Sequence, residues 1–292
     1  MIQTIFSDVV TIGTWTFNDP MALPAGVTQA GVNILDGWDT GGPLEVVASS
    51  RGSRDGDVPA DHFPLRSRII QMGGWLYCTS RSAALNALTS LVGDAFPLDT
   101  DLTLIRDEPD VAKQLTVRVA GPVQIPADTN VTGAHFRFLA TLQAFDPLKY
   151  AVDTDINATG GIAGALVGGL VVPVVLPALF APAAGQGNNL TVENVGSHDT
   201  GPLVTITGPL PTGWRWTNDT TGEALSLDLS LGAGDSLVLD HRLQQAFLNS
   251  SFVSPALTGD WWTLKRGPNV LKLFGDFDPA ATVTVTGHSA WR

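Results

Sequence analysis

The chain is poor in the residues that staple or charge a protein. Of 292 residues one is cysteine, Cys78, so no intrachain disulfide can form. No repeated Cys/His spacing suggests zinc, and a reducing cytoplasm is an acceptable place to fold. Basic residues number 16 against 28 acidic ones, a net charge of −12 spread over both halves of the chain. Phosphate binding needs clustered Lys/Arg, so sequence-specific nucleic-acid binding is not expected. Anionic membranes would repel such a chain as well. The start, Met1-Ile2-Gln3-Thr4-Ile5-Phe6-Ser7-Asp8, has no basic region followed by a long apolar one, so export by the ordinary secretory route is not expected.

Charge is absent altogether from Ala158 to Gly187. A spanning helix needs about 20 apolar residues with little interruption. Here Pro173, Pro177 and Pro182, with Gly160, Gly161, Gly164, Gly168 and Gly169, break any helix, so no membrane insertion is expected. The piece Val171–Pro177 reads as extended, its apolar surface covered by another domain or subunit.

What is present is two-residue alternation. Phe136, Phe138, Ala140, Leu142 and Ala144 share one face, with Arg137, Thr141 and Gln143 opposite. Leu115, Val117 and Val119 alternate with Thr116 and Arg118; Leu225, Leu227, Leu229 and Leu231 with Ser226, Asp228 and Ser230; and Val283 and Val285 with threonines. Short strands separated by Gly, Pro, Asn and Asp turns point to β-sandwiches. From Ser80 to Val92 the period changes: Ala84, Leu85, Leu88, Leu91 and Val92 form a helical stripe, with Ser80 or Ser82 as N-cap and Gly93 as the stop. The expected fold is mainly β, with two β-sandwich domains, the first carrying a single packed helix over about 80–92. Residues 1–150 form the first domain, 151–188 an extended Gly/Pro/Ala-rich connecting arm, and 189–292 the second sandwich.

Motifs for catalysis are weak. Gly234-Asp235-Ser236-Leu237 spells an esterase-like tetrapeptide, and His241 follows closely. That motif belongs at a strand-to-helix turn, and this one lies in a series of strands, where Gly234-Asp235 reads as a turn. Asp153 with Asp155, and Asp276 with Asp278, sit beside turn residues, where solvated carboxylates are the commoner case. Histidines 62, 135, 198, 241 and 288 are scattered singly. No phosphate loop or dinucleotide fingerprint appears. The chain is expected not to be an enzyme, to take no cofactor and to have no metal site. Trp214, Trp216, Trp261, Trp262 and Trp291 are the remaining candidates. Alternation at Trp261-Trp262 sends one ring to each face, so this pair is the expected carbohydrate or protein contact.

The order of segments resembles a known family. Phe63–Gly74 leads into the Ser80–Val92 helix, then Leu102–Asp107, Gln114–Gly121 and Phe136–Pro147, closing on Asp146-Pro147. This is similar to the N-terminal domain of siphophage distal tail proteins. Gly168–Phe180, Val192-Glu193-Asn194-Val195-Gly196, Pro202–Pro209, Asn218–Gly222, Gly234-Asp235, the paired tryptophans, Gly267-Pro268-Asn269 and Ser289-Ala290-Trp291 resemble the C-terminal domain of the same family, actinobacteriophage type especially. The resemblance implies a structural virion protein at the tail tip, made in the host cytoplasm. Six first domains would form a ring around the tail channel, with a galectin-like or carbohydrate-module-like jelly roll outside it. The implied partners are the tail tube protein, the tape-measure protein, the tail-associated hub protein and other minor tail proteins. A carbohydrate-binding tail module touching the host surface is the alternative.

Overall fold

The computed structural model describes residues 8–40, 43–44, 48–50, 57–59, 65–126, 134–161, 189–210, 213–253, 257–274 and 281–292. The chain divides into two compact units, 1–152 with Arg292 and 153–291. Among the described residues no helix is long and apolar enough to cross a membrane. Residues 162–188, most of the expected arm, lie outside the described residues, as do His62, Asp276 and Asp278.

In the first unit the strands are β1 (Val10–Ile12), β2 (Trp15–Phe17), β3 (Val27–Asp36), β4 (Ala48–Ser50), β5 (Asp57–Pro59) and β6 (Arg68–Cys78). After the helix α1 (Arg81–Ser90) come β7 (Leu102–Arg106), β8 (Lys113–Val119), β9 (His135–Ala144) and β10 (Lys149–Ala151). The main sheet runs β2-β1-β7-β8-β9-β6-β3, with β10 on β8. It folds over because β8 changes partners. Its residues up to Val117 pair with β7, and Arg118 and Val119 pair with Gln143 and Leu142 of β9. Val10, Ile12, Leu104 and Leu115 from one end of the sheet therefore share a core with Ile70, Met72, Leu76, Phe136 and Phe138 from the other. The alternation in β9 is realised in full: the five apolar residues of its inner face are all between 0% and 2% exposed, with Leu139 half-buried on the outer one.

The helix is shorter than its sequence stripe. Ser80 caps it, its Oγ accepting from the Ala83 N–H at 3.2 Å. From Leu91 to Ala95 the chain widens into a π-helical turn that contains Gly93, so Gly93 does not stop the helix. Ala84, Ala87 and Leu91 face the core, whereas Leu85 and Val92 are 46% and 42% exposed.

The second unit contains β11 (Ile156–Gly161), β12 (Asn189–Asn194), β13 (Leu203–Thr207), β14 (Trp214–Asn218), β15 (Glu223–Leu227) and β16 (Ser236–Asp240). These are followed by β17 (Gln245–Leu248), β18 (Ser251–Phe252), β19 (Leu257–Gly259), β20 (Gly267–Phe274), β21 (Thr282–Gly287) and β22 (Ala290–Trp291). Two antiparallel sheets, β11-β21-β13-β16-β17-β18 and β12-β20-β14-β15-β19, enclose one core. The opening of the charge-free tract, Ala158–Gly161, is thus a strand, paired with Thr282–Val285. The leucine alternation ends sooner than expected. β15 stops at Leu227, where its pairing with Trp214 and Leu257 stops, and Leu231 makes an isolated bridge to Leu210.

Candidate interaction surface

The expected Trp261-Trp262 contact turns out to be mostly core. Trp262 is 1% exposed, its ring centroid 5.9 Å from Trp216 and 3.9 Å from His241. A ring enclosed in this way has no face for a sugar to stack on, so the expectation is corrected for Trp262. Trp261 is half-buried and meets the His241 ring edge-on at 5.2 Å. Trp214 and Trp216 are buried too, at 1% and 0% exposure.

Three fully buried asparagines tie down the tryptophan loop. Asn194 Nδ2 donates to Leu264 O at 3.1 Å and to His198 O at 2.8 Å, and its Oδ1 accepts from Gly196 N. Asn218 Nδ2 donates to Thr263 O at 3.1 Å. Asn269 accepts from Lys265 N at 2.9 Å and donates to Lys265 O at 2.7 Å and Gly267 O at 2.9 Å. Leu264 also exchanges both backbone bonds with Thr200. Each amide supplies donors and an acceptor that a loop cannot find within itself.

His241 completes this frame. Its Nδ1 lies 3.0 Å from Trp262 O, and since a carbonyl only accepts, Nδ1 carries the proton. Burial is the dominant cause that pulls its pKa down to about 3, against a smaller opposite effect of the Trp262 carbonyl. His241 is therefore neutral at pH 7. Ser236 opens β16 and His241 follows its end, so they lie five residue steps apart along the strand, roughly 16 Å. They cannot act as nucleophile and base. Asp235 accepts from Asn249 Nδ2 and from Gly232 N, bonds that lower its pKa and identify Gly234-Asp235 as a turn. Asp155 accepts from Ser289 N at 2.7 Å, while His288 and His198 each contact a backbone carbonyl. Among the described residues no group of three His, Cys, Asp or Glu could hold a metal.

A surface that the sequence reading missed lies on the first unit. A register shift in β3 between Val32 and Ile34 brings Ile34 opposite Gly73, with its side chain over that glycine beside Leu139. Trp75 lies across Gly31, where a Cβ would meet the indole at 2.6 Å. Trp75 packs edge-on against Tyr77 at 5.3 Å, and Tyr77 stacks on His135 at 5.5 Å. The outer face of β3, β6 and β9 thus carries Ile34, Ile69, Trp75 and Tyr77 interleaved with Gln71, Arg137, Thr141 and Gln143. Ile34, Ile69 and Tyr77 on it are 45%, 48% and 47% exposed. The strand β3 at its side is a sheet edge. Arg137, Thr141 and Gln143 of β9 lie beside these residues, and Asn18 caps Ala30 and Val32 of β3; exposed apolar and aromatic residues among polar ones on a sheet face are the pattern of a protein contact.

Residues 195–291 match the family model of the siphovirus-type tail component, C-terminal domain. That match lies within the second unit. Over 96% of this chain and 98% of the other, the fold matches the crystal structure of the Dit protein of phage SPP1, described as a paradigm of the hub adsorption apparatus in Gram-positive infecting phages, with TM-score 0.64 and 15% identity. A structure of the phage P2 baseplate in its activated conformation with Ca matches over 96% of this chain and 97% of the other, with TM-score 0.49 and 10% identity. Among curated protein sequences none matches. The fold of that SPP1 protein thus runs through the chain, and the family-model match spans the loop that holds Trp261 and Trp262.

Proposed function

We propose that this chain is a structural distal tail protein at the tip of a long non-contractile phage tail. Six copies close a ring through their first domains, joining the tail tube to the tail-tip hub around a channel for DNA. The second domains receive other tail proteins. The observation that carries the reading is the Ile34–Ile69–Trp75–Tyr77 face, on a domain whose fold is that of a tail hub protein. A monomer gains nothing from leaving this much apolar surface in water, and a ring covers it. The acidic balance agrees, because a collar around passing DNA must not grip phosphates.

The test is incorporation into tails. Tyr77→Asp and Ile69→Asp place a charge on this face without touching the core. Complementation of a phage lacking the gene should yield normal tails with the wild-type chain and tails without a tip with either variant. Labelled wild-type chain should image at the distal end in six copies. Normal tails from both variants, or label elsewhere on the particle, would refute the ring.

A further inference from the structure

The first unit holds a group of charged side chains whose pairing is uneven. Arg106 donates to Asp8 at 2.8 Å and to both oxygens of Asp39 at 2.9 and 3.0 Å. Lys113 reaches Glu108 at 2.5 Å and Asp110 at 3.4 Å. Arg68 and Lys149 are more deeply placed than most such groups, 1% and 6% exposed, and neither has a carboxylate within ion-pair distance among the described residues. Both instead share one neutral acceptor, the Trp38 carbonyl, at 2.9 Å from Arg68 Nη1 and 3.1 Å from Lys149 Nζ.

That oxygen has two lone pairs, and these two donors use both. The Trp38 side chain is committed as well, its Nε1 donating to Glu108 at 2.7 Å. Its ring offers the ammonium of Lys149 a face, 5.6 Å from the centroid. The Nε and Nη2 of Arg68 are buried with no hydrogen-bond partner among the described residues. Those two N–H groups point the same way along the side-on edge of the guanidinium, spaced for the two oxygens of a carboxylate. Burial first, and then the charge of Arg68, push the Lys149 ammonium below its ordinary range, while Glu108 and Asp39 act on it in the opposite sense at longer range. Two buried cations side by side with one neutral oxygen between them call for an anion.

We propose that the side-on edge of Arg68 and the ammonium of Lys149 bind a small monovalent anion, a planar carboxylate in preference to a halide. The carboxylate places one oxygen on each of Nε and Nη2, and its charge lies against Lys149. A halide supplies charge without the paired geometry, so it binds more weakly. Arg68 faces the side of β6 opposite to Ile69, and the site is built from one copy of the chain.

The probe is carbon-13 formate titrated into the full-length protein at constant ionic strength, followed by NMR line width and by melting temperature. Chloride forms a parallel arm. Expected are saturable broadening of the formate signal and a melting temperature that rises by a few degrees and levels off, with half-saturation at a lower concentration than for chloride. Lys149→Met keeps the length of the stem and removes one of two repelling cations, so the variant should fold, and its formate response should fall at least tenfold. Arg68→Met should abolish the response. Equal formate broadening in wild type and Lys149→Met, both folded by near-ultraviolet circular dichroism, would overturn the proposal. So would the absence of saturable broadening with either anion, and tighter binding of chloride than formate would overturn the carboxylate preference.

Discussion

Asn269 tests the claim that buried amides, more than apolar contact, hold the tryptophan loop. It is 0% exposed, accepts from Lys265 N, and donates to Lys265 O and Gly267 O. Asn269→Ala strands one N–H and two carbonyls and removes an acceptor from Asn218 Nδ2 at 3.4 Å. A stranded buried polar group costs about 1–3 kcal/mol, and the low end applies because this loop is partly open to water; three groups make about 3 kcal/mol. At about 2–4 °C per kcal/mol for a protein of this size, the melting temperature should fall by roughly 6–12 °C. Asn269→Asp keeps the acceptor for Lys265 N but aims a carboxylate at two carbonyls, so at pH 7 it should be at least as destabilising. Thermal melts by circular dichroism, with amide exchange over residues 261–266, measure both effects. A loss for Asn269→Ala below about 1 kcal/mol, smaller than a single stranded group costs, would show that the loop is held by its apolar contacts. A milder effect from Asp than from Ala would refute the donor assignment.

His241 makes stability depend on pH with a sign set by its lowered pKa. The unfolded chain protonates near the ordinary value of 6.5 and the fold not until about 3, so this contribution is complete above pH 6.5 and is lost as pH falls toward 3. The slope over that window should approach 1.4 kcal/mol per pH unit, about the value for one proton. Lowered carboxylates such as Asp219, held down first by its bond with Lys272, act in the same direction but only nearer their ordinary value of 3.8. In His241→Phe, denaturant melts between pH 6.5 and 4.5 should lose most of the slope, and an unchanged slope would exclude His241 as its source. Trp262→Ala should cost about 3–5 kcal/mol, as a large core truncation does. Trp261→Ala should cost less than half of that, and equal losses by chemical denaturation would contradict the burial difference.

Much of the fold was legible because strands and helices write their period into the chain. Phe136 to Ala144 alternate in sequence and alternate in burial. Ser80 caps the helix that its stripe foretold. The order of turn motifs also pointed to the phage tail family, and Asn194, Asn218 and Asn269 lie within those very motifs. Their joint role was not legible, since Asn194 and Asn218 bond to backbone far away in sequence, at Leu264 and Thr263, and only there meet the local turn that Asn269 holds. Trp261 and Trp262 show the same limit. Alternation says that adjacent rings face opposite ways, but the residues that enclose Trp262, among them Trp216 and His241, come from elsewhere in the chain.

Local pattern and composition by themselves determined that the chain builds strands around apolar faces, with few cations, one helix and no disulfide. Those properties depend on neighbours within a few residues or on simple counts. Tertiary structure decided which apolar residues stay outside. Ile69 and Ile70 are alike in sequence, yet one is 48% exposed and the other 0%. Only the pairing of β6 between β3 and β9, with the helix on its inner side, separates a residue that can hold a partner from one that holds the core.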